Sequence, residues 1–329
     1  MNNRYHPALF WFTVLNVVAT FLLIGLGGLV TSHEAGMSVP DWPTSYGYNM
    51  FALPFIFWKG GAFFEHTHRL LASVVGFLTT ILAVWLWLKD SRQSLHWLGI
   101  AAFLGVIAQG ILGGLRVKWQ MASLGIFHGA VAQTFLVLVA AIALFTSRWW
   151  MNSENEKQIS VPRGLRSHVF WITILIFIQL LLAATMRHQH AGLAISDFPL
   201  AHGKIWPDTS PEALAGYNAQ RHTINGENPI TAFQIMLQVA HRLVAILIFL
   251  GVTASAFLAR KKLGGRDGLT KFAWLWTVLL VAQIILGIAT IWTNKAADIA
   301  TLHVMVGAIS LLVGALWWLI ATRRTRLAN

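Results

Sequence analysis

Eight runs of predominantly apolar residues, each long enough to cross a bilayer, constrain this chain more than any other feature. They fall at about 8–31, 69–88, 97–115, 122–146, 168–186, 236–259, 271–293 and 300–321. A helix rises 1.5 Å per residue, so some 20 residues span roughly 30 Å of hydrocarbon. Within lipid every backbone N–H and C=O needs an internal partner, and a helix supplies them all inside one segment. The expected fold class is therefore an all-α integral membrane protein with eight transmembrane helices. With 56% of its 329 residues hydrophobic and 11% charged, the chain has more apolar surface than a soluble fold of this length can hide. The first run is too long for a signal-peptide core and is read as a retained helix.

Charge sets the expected orientation. Arg4, Lys89, Arg92, Arg148, Lys157, Arg163, Arg166, Arg260, Lys261, Lys262, Arg266, Lys271, Arg323, Arg324 and Arg326 all fall on one side of the eight spans. The excess of Lys and Arg marks that side as cytoplasmic and puts both termini there. The net charge of +12 is explained by these short flanking loops, so no nucleic-acid partner is expected. There is no cysteine, which excludes disulfides, thiolate metal ligands and iron–sulfur clusters.

The chain repeats itself. AGMSVPDWP at 35–43 matches AGLAISDFP at 191–199, His68-Arg69-Leu70 matches His241-Arg242-Leu243, the run from Gln109 to Gly113 matches that from Gln283 to Gly287, and His128 matches His303. Residues 1–150 and 168–329 are therefore expected to form two tandem four-helix bundles, joined by a cytoplasmic linker at 151–167. An even number of spans per repeat gives parallel halves related by a pseudo-two-fold axis along the membrane normal, which disfavours an inverted-repeat transporter. The second outer loop carries an insertion at about 200–230, readable as a solvated loop or as a lid. Glycines within the spans, among them Gly25, Gly27, Gly28, Gly113 and Gly287, are expected to serve close helix packing.

Four histidines stand at equivalent positions of the halves: His68 and His128, then His241 and His303. Each lies about 18–20 residues, roughly 27–30 Å, from the cytoplasmic end of its span, so all four share one depth near the outer surface. Two imidazoles facing each other inside a four-helix bundle are a bis-His arrangement suited to haem iron. Zinc or copper would be under-ligated by two histidines with no cysteine and few carboxylates nearby. Arg69 and Arg242 follow their histidines and stand either as partners for haem propionates or as helix-end residues snorkelling to the interface.

One difference separates the halves. Glu65 lies three residues before His68, on the same helix face, whereas the equivalent residue before His241 is Gln238. A carboxylate beside one metal site alone suggests that the first half performs chemistry and the second supports it. The competing reading is an interfacial carboxylate paired with Arg69. His66 is expected at the interface facing away, and His33, His188, His190, His202 and His222 are expected to be solvated in outer loops. Asp41 and Asp197 read as turn formers or as loop-to-site contacts.

The combination of GGLVTSHEAGMSVPDWP, Glu65-His66-Thr67-His68-Arg69 and His128 with the weaker echo AGLAISDFP, Gln238, His241-Arg242 and His303 resembles the haem A synthase family over essentially the whole chain. The resemblance implies a bacterial inner-membrane oxygenase that oxidises a methyl group of its substrate haem O to a formyl group, giving haem A for cytochrome oxidase. It implies a haem B cofactor ligated by His241 and His303, a substrate site framed by His68 and His128 near the outer face, and a catalytic requirement for Glu65. Expected partners are membrane lipid, an external electron donor and the haem O synthase, with self-association left open. Many bacterial members carry a cysteine pair in the first outer loop. Here Val39 stands where one cysteine is common, so no thiol chemistry can operate. The alternative is a dihaem b-type electron-transfer cytochrome, which accounts for four histidines but not for Glu65 opposite Gln238.

Overall fold

Helix starts follow local chemistry. Pro7 sits in the first turn of α1 (Pro7–Ser32), where its missing N–H costs nothing. Thr231 caps α8 (Ala232–Leu263) in a reciprocal pair with Gln234, and Asp267 caps α9 (Gly268–Trp292) by accepting from the Leu269 N–H. The computed structural model of the chain describes residues 5–121, 123–152, 159–225 and 229–328. Its remaining helices are α2 (Gly60–Lys89), α3 (Gln93–Lys118), α4 (Leu124–Thr146), a short α5 (Arg148–Asn152), α6 (Arg163–His188), α7 (Pro211–Asn225) and α10 (Ala297–Ala328). All but α5 and α7 are long and apolar enough to cross a membrane, eight in number among the described residues, as the apolar runs require.

Helix α2 departs most from expectation, starting at Gly60 rather than near 69. The added turns carry Glu65, His66 and His68, which depress local hydropathy but turn into the fold, Glu65 onto Arg69 and the Val39 N–H and His68 toward the His128 ring. The insertion at 200–230 also differs: it folds over Pro211–Asn225 as α7. The Ser210-Pro211-Glu212 start, with the Ser210 hydroxyl accepting from the Ala213 N–H, is the signal that identifies this helix. Arg4, Lys157, 153–158 of the linker, 226–228 of the insertion and the side chains of His222 and Arg326 lie outside the described residues.

The long helices pack in two rings. In the first, α1 lies on α2, α2 on α3, α3 on α4 and α4 on α1; in the second, α6, α8, α9 and α10 close in the same manner. Each ring has its own apolar core, one around Val75, Leu82, Leu86 and Val139, the other around Val252, Ala273, Trp276 and Trp317. The rings meet where α1 and α4 contact α10 and α4 contacts α6, with Ile24, Leu136 and Ala308 buried along the seam. Outward faces keep exposed residues such as Trp11, Phe77, Ile246 and Val278, as lipid contact demands. At the helix ends remote from the histidines, Arg324 pairs with Asp267 at 2.8 Å and Arg92 with Asp90 at 2.6 Å.

Candidate functional site

Each ring is covered at its histidine end by a turn built to one plan. In the first, Asp41 accepts from the Thr44 hydroxyl and from the N–H groups of Tyr46 and Gly47 at 2.5–2.8 Å. In the second, Asp197 accepts from the N–H groups of His202 and Gly203, both at 2.8 Å. Tyr46 and His202 both adopt positive φ, each is followed by a positive-φ glycine, and both turns contain a cis X-Pro peptide. Burial works to raise the Asp41 and Asp197 pKa values, but these hydrogen bonds and the nearby positive charge outweigh it and hold both carboxyls below the ordinary aspartate value. The turn-forming reading of both aspartates is what the geometry displays.

The turns are fastened to α2 and α8. The Val39 N–H donates to Glu65 Oε2 at 2.9 Å, and the Ile195 N–H donates to Gln238 Oε1 at 2.7 Å. Arg69 donates to the carbonyls of Asp41, Thr44 and Val39 at 2.7, 3.0 and 3.1 Å and to Glu65 Oε1 at 2.8 Å. Arg242 donates to Leu200 O and Asp197 O, both at 2.8 Å. Glu65 is buried, and each of its oxygens has a partner. Its place in the fold is that of Gln238, with the difference that the Val39 carbonyl is taken by Arg69 whereas the Ile195 carbonyl is taken by the Gln238 amide at 3.1 Å.

Beneath the turns the histidines meet in the expected pairs. The His68 and His128 ring centroids are 6.4 Å apart, and those of His241 and His303 are also 6.4 Å apart. Two imidazoles bound through Nε2 on opposite sides of one metal, with metal–nitrogen bonds of about 2 Å, hold their centroids roughly 6.3 Å apart. Both pairs therefore have the spacing of trans ligands to a single ion. Among the described residues no cluster of three or more His, Cys, Asp or Glu could hold a metal ion, and each pair offers two imidazoles.

Glycines explain how the rings are seated. A Cβ on Gly27 would lie 3.2 Å from His68 Cε1, on Gly113 3.5 Å from His128 Cε1, and on Gly287 3.1 Å from His303 Cε1. For His68 and His128 the atoms nearest the glycine are Cε1 and Nδ1, which turns Nε2 away from that helix. His303 Nδ1 lies 3.1 Å from the Gln283 carbonyl; a carbonyl only accepts, so Nδ1 carries the proton and Nε2 keeps its lone pair for a metal. What these glycines pack against is thus the histidine rings, and the alignment of Gly113 with Gly287, 15 residues before His128 and 16 before His303, is the signal that marks them.

Other side chains differ from their sequence reading. His66 is fully buried under the first turn against Trp58, with Ser45 Oγ at 3.5 Å from Nδ1. His202 is half-buried and stacks on Tyr217 of α7 with centroids 3.8 Å apart. His188 fills the space beside Gly125, where a Cβ would lie 2.4 Å from its ring. Each histidine packs against a side chain or glycine of another element, which a reading of loop position does not register. Arg116 and Arg187, unmarked in the sequence, both approach the histidine level. Arg187 donates to Gly28 O at 2.8 Å and Ser32 Oγ at 2.6 Å across the seam, and Arg116 projects its charge onto both His68 and His128.

The family model for COX15-CtaA, described as cytochrome oxidase assembly protein, matches residues 10–315. Heme A synthase of Alkalihalophilus pseudofirmus is 27% identical over 315 residues, spanning 94% of this chain and 96% of the relative. The heme A synthases of Shouchella clausii and Geobacillus kaustophilus are 26% and 27% identical and span 96% and 97% of this chain, and 97% and 92% of their own lengths.

Proposed function

Because the chain belongs to the COX15-CtaA family of cytochrome oxidase assembly proteins, we propose that it is a haem A synthase, a multi-pass membrane oxidoreductase that converts haem O to haem A. The observation that carries this reading is the repeated pair of imidazoles, each with the centroid spacing of two axial ligands, set in an apolar bundle. Full-length heme A synthases are the relatives it resembles.

The halves take different roles in this proposal. Residues 1–150 hold substrate haem O between His68 and His128, and residues 168–329 hold a haem B between His241 and His303, the two joined by the cytoplasmic linker 151–167 and related by an axis along the membrane normal. When bound, haem B supplies electron transfer between an external donor and the reacting half. His303 keeps its proton on Nδ1 through the Gln283 carbonyl, leaving Nε2 to ligate. Arg69 and Arg242 bring positive charge beside the propionate edge while their N–H donors stay on the turn carbonyls. Glu65, buried and ionically paired in the first half alone, serves the oxidation of a ring methyl through the alcohol level to a formyl group by holding or moving a proton. Both termini lie in the cytoplasm and the histidines near the outer face, in keeping with the cationic helix ends opposite them. Helix α7, resting on the second turn through Tyr217 and Leu214, acts as that half's lid.

The test is pigment extraction from the protein expressed with a haem O supply. A formyl-bearing haem, with its red-shifted pyridine haemochrome, is the expected product. Haem B and unchanged haem O alone would leave the electron-carrier reading in its place.

A further inference from the structure

Among the described residues the guanidinium of Arg116 has no counter-charge within reach of an ion pair. Its Nε is buried without a hydrogen-bond partner, and none of the ion pairs among the described residues involves it. Glu65, the carboxylate whose charge reaches it, is committed to Arg69 and Val39. Arg116 is half-buried, and drawing a cation even partly out of water with no anion beside it is costly, so a side chain held this way points to a ligand that supplies the missing charge.

Its location says which ligand. Arg116 lies three residues beyond Gly113 on α3, on the helix face that receives the His128 ring and one turn nearer the outer end. Gly36 of the outer turn gives it room, since a Cβ there would lie 2.5 Å from Nη2 and 2.8 Å from Nη1, and Gly125 of α4 lies on another side, its Cβ position 3.4 Å from Cζ. The fork thus stands between the outer turn and the imidazole pair, its charge acting on both rings. The second half differs here: the residue equivalent to Arg116 is Thr290, whose hydroxyl donates to Leu286 O at 2.8 Å, and the glycine equivalent to Gly36, Gly192, faces the stem of the exposed Lys295 instead.

We propose that Arg116 is the carboxylate anchor of the first half, binding the propionates of the haem held between His68 and His128. This rests on the proposed reading of that half as a haem site. A planar fork of donors matches a carboxylate in shape and charge. Fixing the acidic edge against the outer turn also fixes the rotation of the macrocycle between its two ligands, leaving the prenyl edge to face lipid. Arg116 is on this reading a positioning residue that selects a dicarboxylic porphyrin.

The experiment titrates the purified protein, with its second half loaded, with ferric protoporphyrin and with the dimethyl ester of the same porphyrin, followed by the Soret change. The wild type is expected to bind the diacid roughly 10–100-fold tighter than the diester, and Arg116→Gln to bind both with the weaker affinity while keeping a bis-imidazole spectrum. Arg116→Lys should restore part of the preference. Equal binding of diacid and diester by the wild type, or an undiminished preference in Arg116→Gln, overturns the proposal. A Soret change that His68→Ala does not abolish removes the first-half haem site itself, and the anchor with it.

Discussion

Replacing Glu65 by Gln separates charge from architecture, because the protein already contains the neutral version of this contact. Gln238 accepts from the Ile195 N–H as Glu65 accepts from the Val39 N–H, so the amide can hold the first turn by the same bond. What Glu65→Gln loses is the 2.8 Å ion pair to Arg69, whose partners are about nine-tenths buried. Arg69 retains three carbonyl acceptors at 2.7–3.1 Å, so the cation is not orphaned and the cost is that of one charge-assisted hydrogen bond, about 1–3 kcal/mol. Glu65→Ala additionally strands the buried Val39 N–H, for about another 1–3 kcal/mol. Thermal melts of the two variants in detergent, the Soret band of the second half, and haem A extracted from expressing cells together decide the matter. Glu65→Gln should keep haem B, melt between wild type and Glu65→Ala, and form no haem A. A normal haem A yield would reduce Glu65 to a fastener of the turn. A melt as low as that of Glu65→Ala would refute the equivalence with Gln238.

Alanine at His241 or His303 should remove haem B while the protein remains membrane-inserted; full haem B content in both variants, measured by pyridine haemochrome, would mean that these imidazoles are not its ligands. Gly287→Ala pushes a Cβ to 3.1 Å from the His303 ring, whereas Gly113→Ala meets the His128 ring at an ordinary 3.5 Å; the first should lower haem B occupancy several-fold, and the second should leave haem binding within twofold, with equal losses refuting the steric argument. The folded Asp41 carboxyl titrates below its ordinary value of 3.8, so its ionisation stabilises the outer turn above that pH, and the gain disappears as pH falls through the lowered folded value. The difference in melting temperature between wild type and Asp41→Asn should accordingly be flat from pH 8 to about 5 and close only below about 4; a gap that closes near pH 6 would point to a histidine.

The eight spans and the pairing of histidines were legible because each rests on a one-dimensional property: apolar run length in the first case, and equal distance from a helix end in two aligned halves in the second. The start of α2 was not, since hydropathy counts Glu65, His66 and His68 as polar whether or not the fold supplies partners for them. Arg116 and Arg187 were missed for a related reason. Both stand near helix ends, where arginines ordinarily reach water, and only the approach of Gly36, Gly125 and Gly28 shows that these two turn inward. The Glu65–Gln238 difference was visible in the sequence, but the turn that both residues hold emerges only in three dimensions.

Arg187 makes the duplicated design indivisible. It belongs to the second repeat, yet its acceptors, Gly28 O and Ser32 Oγ, belong to the first, at a seam narrow enough that a Cβ on Gly25 would strike Met305 Sδ at 2.9 Å. A chain nicked between Asn152 and Ile159 should therefore migrate as one particle. A C-terminal fragment produced alone would leave that cation without either acceptor, so the second half depends on the first for the place it gives Arg187.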